Sequence, residues 1–307
     1  MTQDRKRCLI TGISGLLGSS LAEYFENRFR IFGTYYRNPV NLDRIEIGRC
    51  DLTNFRSVEH IINEFNPQIV IHCAALTDID TCEVDKKLAY RTNVEATAHI
   101  VHSVRDKSVK LVYISTDAVY DGVKGGFSEA DTVAPQNYYG QSKYEGELEA
   151  LQKENALILR TNIFGWNIRN KKSLGEWILH ALHNRQGING YQDAYFSSIY
   201  TMELARIIDM AIEKNLSGIY NCGSMDSCSK YEFGLKIADR FRLDRALITP
   251  ISIDDFQFNT KRGKNLSLNV ERIQNALCCN MPTVDYCIEA FHRDYHSIGC
   301  AGIDCPQ

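Results

Sequence analysis

Thr11-Gly12-Ile13-Ser14-Gly15-Leu16-Leu17-Gly18 follows the apolar run Arg7-Cys8-Leu9-Ile10 and opens a segment of helical periodicity with Leu17, Leu21 and Phe25 on one face. That order reads as strand, glycine turn, helix. A helix start offers unpaired backbone N–H groups and the positive end of its dipole, so a pyrophosphate can sit there without a cationic side chain. Gly12 permits the tight turn, Gly15 lets backbone approach the phosphates, and Gly18 lets the helix pack closely on the strand. The spacing is Gly-x-x-Gly-x-x-Gly, where Gly-x-Gly-x-x-Gly is commoner in dinucleotide folds. Placed near the amino terminus between strand and helix, Gly12, Ser14, Gly15, Leu16, Leu17 and Gly18 are the predicted cofactor cradle; purely structural glycines are the alternative.

With 307 residues, 44% of them hydrophobic, the chain can bury a large core. Its net charge of −3 and interspersed Lys and Arg call for neither nucleic acid nor a membrane surface. No stretch approaches the ~18 consecutive apolar residues of a membrane span, and no signal-peptide core precedes the first strand, so a cytoplasmic protein is expected. The eleven cysteines are odd in number. Cys8, Cys50 and Cys73 lie in apolar runs as small hydrophobes. Cys278-Cys279 and Cys300 to Cys305 lack zinc spacing, so reduced thiols and no metal are expected.

Strand-like and helical patterns alternate without long polar linkers, which predicts an α/β fold with a doubly wound parallel sheet. The second strand is read over Ile31 to Tyr36. A site for NAD would place an acid near its end to hold the ribose hydroxyls; here Arg37-Asn38 follow, and a guanidinium suits a 2′-phosphate. NADP(H) is therefore the preferred cofactor and NAD(H) the other possibility, while a solvated turn arginine is the structural alternative. Asp51-Leu52, after a strand over Ile45 to Cys50, is placed beside the adenine. Gln68 to Cys73 reads as a strand buried on both faces and runs into Ala74-Ala75, whose small side chains leave room for a cofactor. His72 within it reads as a satisfied core histidine. A helix is predicted over Leu88 to Val104 with His99 and His102 on its surface.

The chemistry follows. The strand Lys110 to Ile114 delivers Ser115-Thr116-Asp117 to the same sheet edge, and a long loop, Ala118 to Asn137, leads to Tyr138-Tyr139-Gly140-Gln141-Ser142-Lys143 at the start of a helix running to about Lys153. Tyr139 and Lys143 are four apart and share one helical face, so the ammonium can approach the phenol and lower its pKa from ~10. That pair, with Thr116, makes an acid/base constellation.

In this set of motifs the chain resembles the extended short-chain dehydrogenase/reductase family, and within it the dTDP-4-dehydrorhamnose reductase group. The matching pieces are Thr11 to Gly18, His72-Cys73-Ala74-Ala75-Leu76-Thr77, Ser115 to Gly122, Tyr139 with Lys143, Leu159-Arg160-Thr161, and Phe196 to Tyr200. The resemblance covers most of the chain and implies a Rossmann-type sheet with a smaller C-terminal substrate lobe. The Rossmann part would take residues 1–165 and 194–223, and the lobe 166–193 and 224–307. It implies that Tyr139 donates the proton, Lys143 holds the nicotinamide ribose and tunes Tyr139, and Thr116 binds the reacting carbonyl of a nucleotide-linked 4-keto-6-deoxysugar. Asp117 would lie near the sugar, with Cys73, Ala74, Ala75 and Thr77 around the cofactor.

The chain departs from the pattern where the rhamnose enzymes carry a substrate-facing tryptophan: here Asn162-Ile163-Phe164-Gly165-Trp166 follow Arg160-Thr161, which makes Asn162 the substrate candidate. Asn93 is a weak match to a proton-relay asparagine of the classical enzymes. Two basic clusters, Arg169-Asn170-Lys171-Lys172 and Lys261-Arg262-Gly263-Lys264, suit a substrate diphosphate or are solvated charge runs. His292 and His296 read as packing residues. Rival readings are an epimerase or dehydratase recycling tightly held NAD, and a non-catalytic NADP-binding subunit resembling the methionine adenosyltransferase beta chain. A homodimer is a possible assembly.

Overall fold

The computed structural model describes residues 5–105, 108–169 and 171–295. Seven strands, β1 (Arg7–Thr11), β2 (Arg30–Tyr35), β3 (Glu46–Arg49), β4 (Ile69–His72), β5 (Lys110–Thr116), β6 (Leu157–Thr161) and β7 (Gly218–Asn221), form one sheet in the order β7-β6-β5-β4-β1-β2-β3. Every neighbouring pair is parallel. The order reverses between β1 and β4, and open α/β sheets bind ligands in the crevice outside the carboxyl ends of the strands at such a switch point.

The near-continuous apolar runs follow from burial on both faces. Successive side chains point to opposite sides, so Cys8, Ile10, Ile69, Ile71, Val112, Leu157 and Leu159 enter one core, with Leu17, Leu21 and Phe25. Leu9, Val70, Leu111, Tyr113 and Ile158 enter the other, with Val58, Ile62, Ile100, Val101, Val104 and Ala150. Each buried Val, Leu, Ile or Phe among them contributes roughly 1.5–3 kcal/mol by leaving water. Helix Leu16–Phe25 packs against helix Thr201–Glu213 on the first face, and helices Phe55–Phe65, Ala96–Val104 and Tyr138–Ala150 pack side by side on the second.

The helix expected over Leu88 to Val104 is a short helix Lys86–Tyr90, a π-helical turn Arg91–Glu95 and a helix Ala96–Val104. Asn93 in that turn accepts a hydrogen bond from Leu76 N at 2.8 Å and donates to Leu76 O at 3.1 Å and Ser142 Oγ at 2.9 Å. The widened turn aims this buried amide at its three partners; such bulges cluster at functional sites. The helix carrying Tyr139 ends at Ala150. His72 is the core histidine expected, held between Thr11 Oγ1 at 2.7 Å and Thr97 Oγ1 at 3.2 Å, with burial pushing its pKa down to about 3. His99 is half-buried, not at the surface, because its ring contacts Phe55 and Leu52 O.

Beyond the sheet, short parallel pairs join Ile163–Phe164 to Ile199–Tyr200 and Ile188–Tyr191 to Ile248–Ile251. Helices Leu174–His183, Lys230–Arg240 and Val284–Tyr295 meet around Phe164, Phe233 and Phe291. Trp166 stacks on Phe291 at 4.0 Å and donates to its carbonyl at 3.0 Å, which makes it a packing residue. The long loop after β5 starts with a 3-10 turn Asp117–Val119 and is pinned where Phe127 bridges Leu268 and stacks on Tyr120. Asn170, His296, Cys300 and Cys305 lie outside the described residues. Among the described residues the nine cysteines are free thiols, no acidic, histidine and cysteine cluster could hold a metal, and no helix is long and apolar enough to cross a membrane.

Candidate active site

A cavity of about 890 Å³ runs along the carboxyl ends of the strands, from the glycine turn to Asn162 and Lys230. At its first end Gly12 adopts φ +68°, and a Cβ there would lie 2.8 Å from Ala74 Cα. A Cβ on Gly18 would lie 2.3 Å from Gly12 O, so the helix can pack this closely only without a side chain. The helix Leu16–Phe25 begins at Gly15 with no side-chain cap, which leaves its first N–H groups for a ligand. Ser14, Leu16 and Leu17 line the cavity, as do Cys73, Ala74, Ala75 and Thr77. An uncapped helix start beside a turn whose close backbone packing only glycine allows fits a dinucleotide pyrophosphate.

Arg37 lines the cavity with its guanidinium 5.4 Å from the Tyr36 ring centroid, and Arg49 lies 5.8 Å from the same ring. Among the described residues Arg37 makes no ion pair, so its fork is available to an anion. Arg49 escaped the sequence reading; it sits opposite Tyr35 in the β2/β3 register, a pairing that sequence spacing does not disclose. Asp51 and Leu52 line the cavity beside it, with one Asp51 oxygen accepting from Thr53 N at 3.0 Å and Thr53 Oγ1 at 2.8 Å.

At the middle of the cavity, Asn137 caps the helix Tyr138–Ala150 by accepting from Gly140 N at 3.0 Å, which places Tyr139 in its first turn. The Thr116 hydroxyl hydrogen-bonds the Tyr139 phenol. Burial outweighs that bond and pushes the phenol up to about 12. Lys143 does not lower it as the spacing predicts. Its ammonium donates to Ile114 O at 2.7 Å and lies 4.1 Å from the Tyr113 ring, and burial brings it down to about 7 against the opposing pull of Glu147. Desolvation disfavours each charged form, so the resting pair favours a neutral phenol.

Asp117 is buried beside them. It accepts from Thr116 Oγ1 at 3.1 Å and from Asn162 Nδ2 at 2.9 Å, and burial raises it to about 6 despite these bonds and the Lys230 ammonium. The structure thus brings Thr116, Asp117, Tyr139, Lys143 and Asn162 to one place. Lys230 was missed by sequence, although the capping box Ser229-x-x-Glu232 locates it at a helix start. The basic clusters divide: Arg169, Lys171, Lys172 and Arg262 line the cavity, whereas Lys264 pairs with Asp193 and Asp254 at the surface. Arg262 lies 3.4 Å from Asp80 and over the Phe258 ring.

Known proteins are similar to this chain in sequence and in fold. The chain is 29% identical over 284 residues to a dTDP-4-dehydrorhamnose reductase of Aggregatibacter actinomycetemcomitans, covering 88% of this chain and 92% of the relative. It is also 29% identical over 280 residues to methionine adenosyltransferase 2 subunit beta of Danio rerio, covering 88% and 84%. A crystal structure of dTDP-4-dehydrorhamnose reductase from Bacillus anthracis in complex with NADP superposes with TM-score 0.82 at 28% identity, over 94% of this chain and 99% of that one. The RmlD substrate binding domain family matches residues 6–296, and the chain belongs to that family, with an extended short-chain dehydrogenase/reductase fold.

Proposed function

We propose that the protein is an NADPH-dependent reductase of the 4-keto group of a nucleotide-linked 6-deoxysugar, with NADH as the weaker cofactor. The observation that carries this reading is the meeting of Thr116, Asp117, Tyr139, Lys143 and Asn162 in the cavity that begins at the glycine turn. The reduced nicotinamide supplies the hydride when bound. Gly12, Ser14, Gly15, Leu16, Leu17 and Gly18 hold the pyrophosphate, Arg37 takes the 2′-phosphate, Asp51 and Leu52 flank the adenine, and Cys73, Ala74, Ala75 and Thr77 complete the cofactor wall. Tyr139, kept protonated by burial, donates its proton to the carbonyl oxygen as charge develops there, and Thr116 donates a hydrogen bond to the same oxygen. Lys143 turns its ammonium to the nicotinamide ribose, and Asp117 with Asn162 orients the sugar. The described residues of segments 166–193 and 224–307 form the substrate lobe, whose Arg169, Lys171, Lys172 and Arg262 face the diphosphate.

The test is stoichiometry with dTDP-4-dehydrorhamnose and a panel of nucleotide 4-keto sugars. A reductase consumes one NADPH per sugar reduced. An unchanged cofactor after turnover would point to an epimerase, and NADPH binding without turnover to a chain that acts like the methionine adenosyltransferase subunit. A cytoplasmic site of action and a homodimer complete the proposal; cell fractionation and sedimentation check them.

A further inference from the structure

Beneath the proton-donating groups lies a buried ion pair with no part in the steps above. Arg160 is 2% exposed and Glu147 fully buried. Arg160 Nε donates to Glu147 Oε1 at 3.0 Å and Nη2 donates to Oε2 at 2.7 Å. Glu147 Oε1 also accepts from Ser115 Oγ at 2.5 Å. Arg160 Nη1 donates to Tyr120 Oη at 2.9 Å, and that hydroxyl reaches Asn221 Oδ1 at 3.0 Å. The network therefore joins β5, β6, β7, Tyr120 just after the 3-10 turn, and the helix Tyr138–Ala150.

Taking two charges out of water is costly, and a well-packed apolar pair of the same volume is often as stable. Stability alone is therefore a weak account of this pair; its location is more informative. Tyr139, Lys143 and Glu147 repeat every four residues along one helix face. Ser115 pairs with Arg160 in the register, one residue before Thr116, and Ile114, whose carbonyl receives Lys143, precedes it. We infer that Glu147 and Arg160 are positioning residues, a buried clamp that holds the Thr116 end of β5 against the Tyr139 and Lys143 face of the helix. The inference rests on the proposed reductase chemistry. The clamp also bears on charge. Lys143 is faced by His72 at the end of β4 and Cys73 just after it, by the Tyr113 ring from β5 and by Glu147 on its own helix, which is ion-paired to Arg160. Glu147 in turn is faced by Arg160, Tyr113, Ser115 and Lys143.

Two variants test this: Ser115→Ala, which leaves the ion pair whole, and the double change Glu147→Gln with Arg160→Gln. Each is compared with wild type for kcat, KM, the pH dependence of kcat, NADPH affinity by fluorescence, and thermal unfolding. Ser115→Ala should lower kcat about tenfold, the scale of one lost hydrogen bond to a charged group, with KM and NADPH affinity within about twofold. The double variant should lower kcat further and move the alkaline limb of its pH profile to lower pH, because Lys143 loses the anion that opposes its burial. Folded variants with wild-type kcat and pH profile but a lower Tm would show a scaffold only and overturn the inference. If the double variant does not fold, Ser115→Ala decides alone, and an unchanged kcat overturns it. Wild-type inactivity on every 4-keto sugar overturns the proposed function together with the inference; an active wild type with unaltered variants overturns the inference alone.

Discussion

Lys143 Nζ donates a hydrogen bond to the carbonyl of Ile114 across 2.7 Å, so the lysine is anchored to the strand that delivers Thr116 and not to the phenol four residues before it. Burial brings its pKa from 10.5 to about 7, which means the ammonium is present below that pH and lost above it. Activity that needs the cation should therefore fall as pH rises past about 7. The unfolded chain keeps this proton up to about 10.5, so the same group makes stability rise with pH between the two values. Lys143→Arg keeps a charge throughout and should flatten the alkaline limb; Lys143→Met should abolish the stability slope and weaken NADPH binding. Identical pH profiles for wild type and Lys143→Arg would remove the lysine charge from the mechanism.

Tyr139→Phe deletes only the hydroxyl that meets Thr116. Its kcat should fall by about 10²–10⁴-fold, the range of general acid catalysis, while NADPH affinity stays near wild type. Single-turnover rates at saturating cofactor measure this directly, and a near-normal rate would exclude the phenol as proton donor.

Arg37 lines the cavity without an ion-pair partner among the described residues. Arg37→Ala should weaken NADPH binding by about 1–3 kcal/mol, the scale of a charge-assisted hydrogen bond, and leave NADH nearly unchanged. Fluorescence titration with both cofactors decides; equal losses would show that Arg37 does not read the 2′-phosphate.

Asp117 has its folded pKa raised from 3.8 to about 6, chiefly by burial. The folded state then holds a proton that the unfolded chain has released, so stability falls as pH rises between these values and is level above. The difference is roughly 3 kcal/mol. Asp117→Asn should remove that slope, seen as a Tm gain that is larger at neutral pH than at acid pH. The same variant should raise KM for the sugar about tenfold through a lost hydrogen bond. A stability slope identical to wild type would place the titration elsewhere.

Much of this protein is legible in local sequence because local geometry generates it. The turn after β1 must be glycine since Gly12 takes a positive φ against Ala74 and a side chain on Gly18 would strike Gly12 O. The apolar runs read as strands because a sheet covered on both faces presents both side-chain sets to a core. Tyr139 and Lys143 share a face by helical spacing alone. By itself, then, the sequence determined the alternating α/β order, the nucleotide-binding turn and the reactive helix. Tertiary structure decided what depends on partners far apart in the chain: Arg49 beside Tyr36, Lys230 beside Asp117, Asn162 on Asp117, and Arg160 on Glu147. It also decided the protonation of Tyr139 and Lys143, because desolvation is set by everything packed around a group, and in this fold it outweighs the spacing between them.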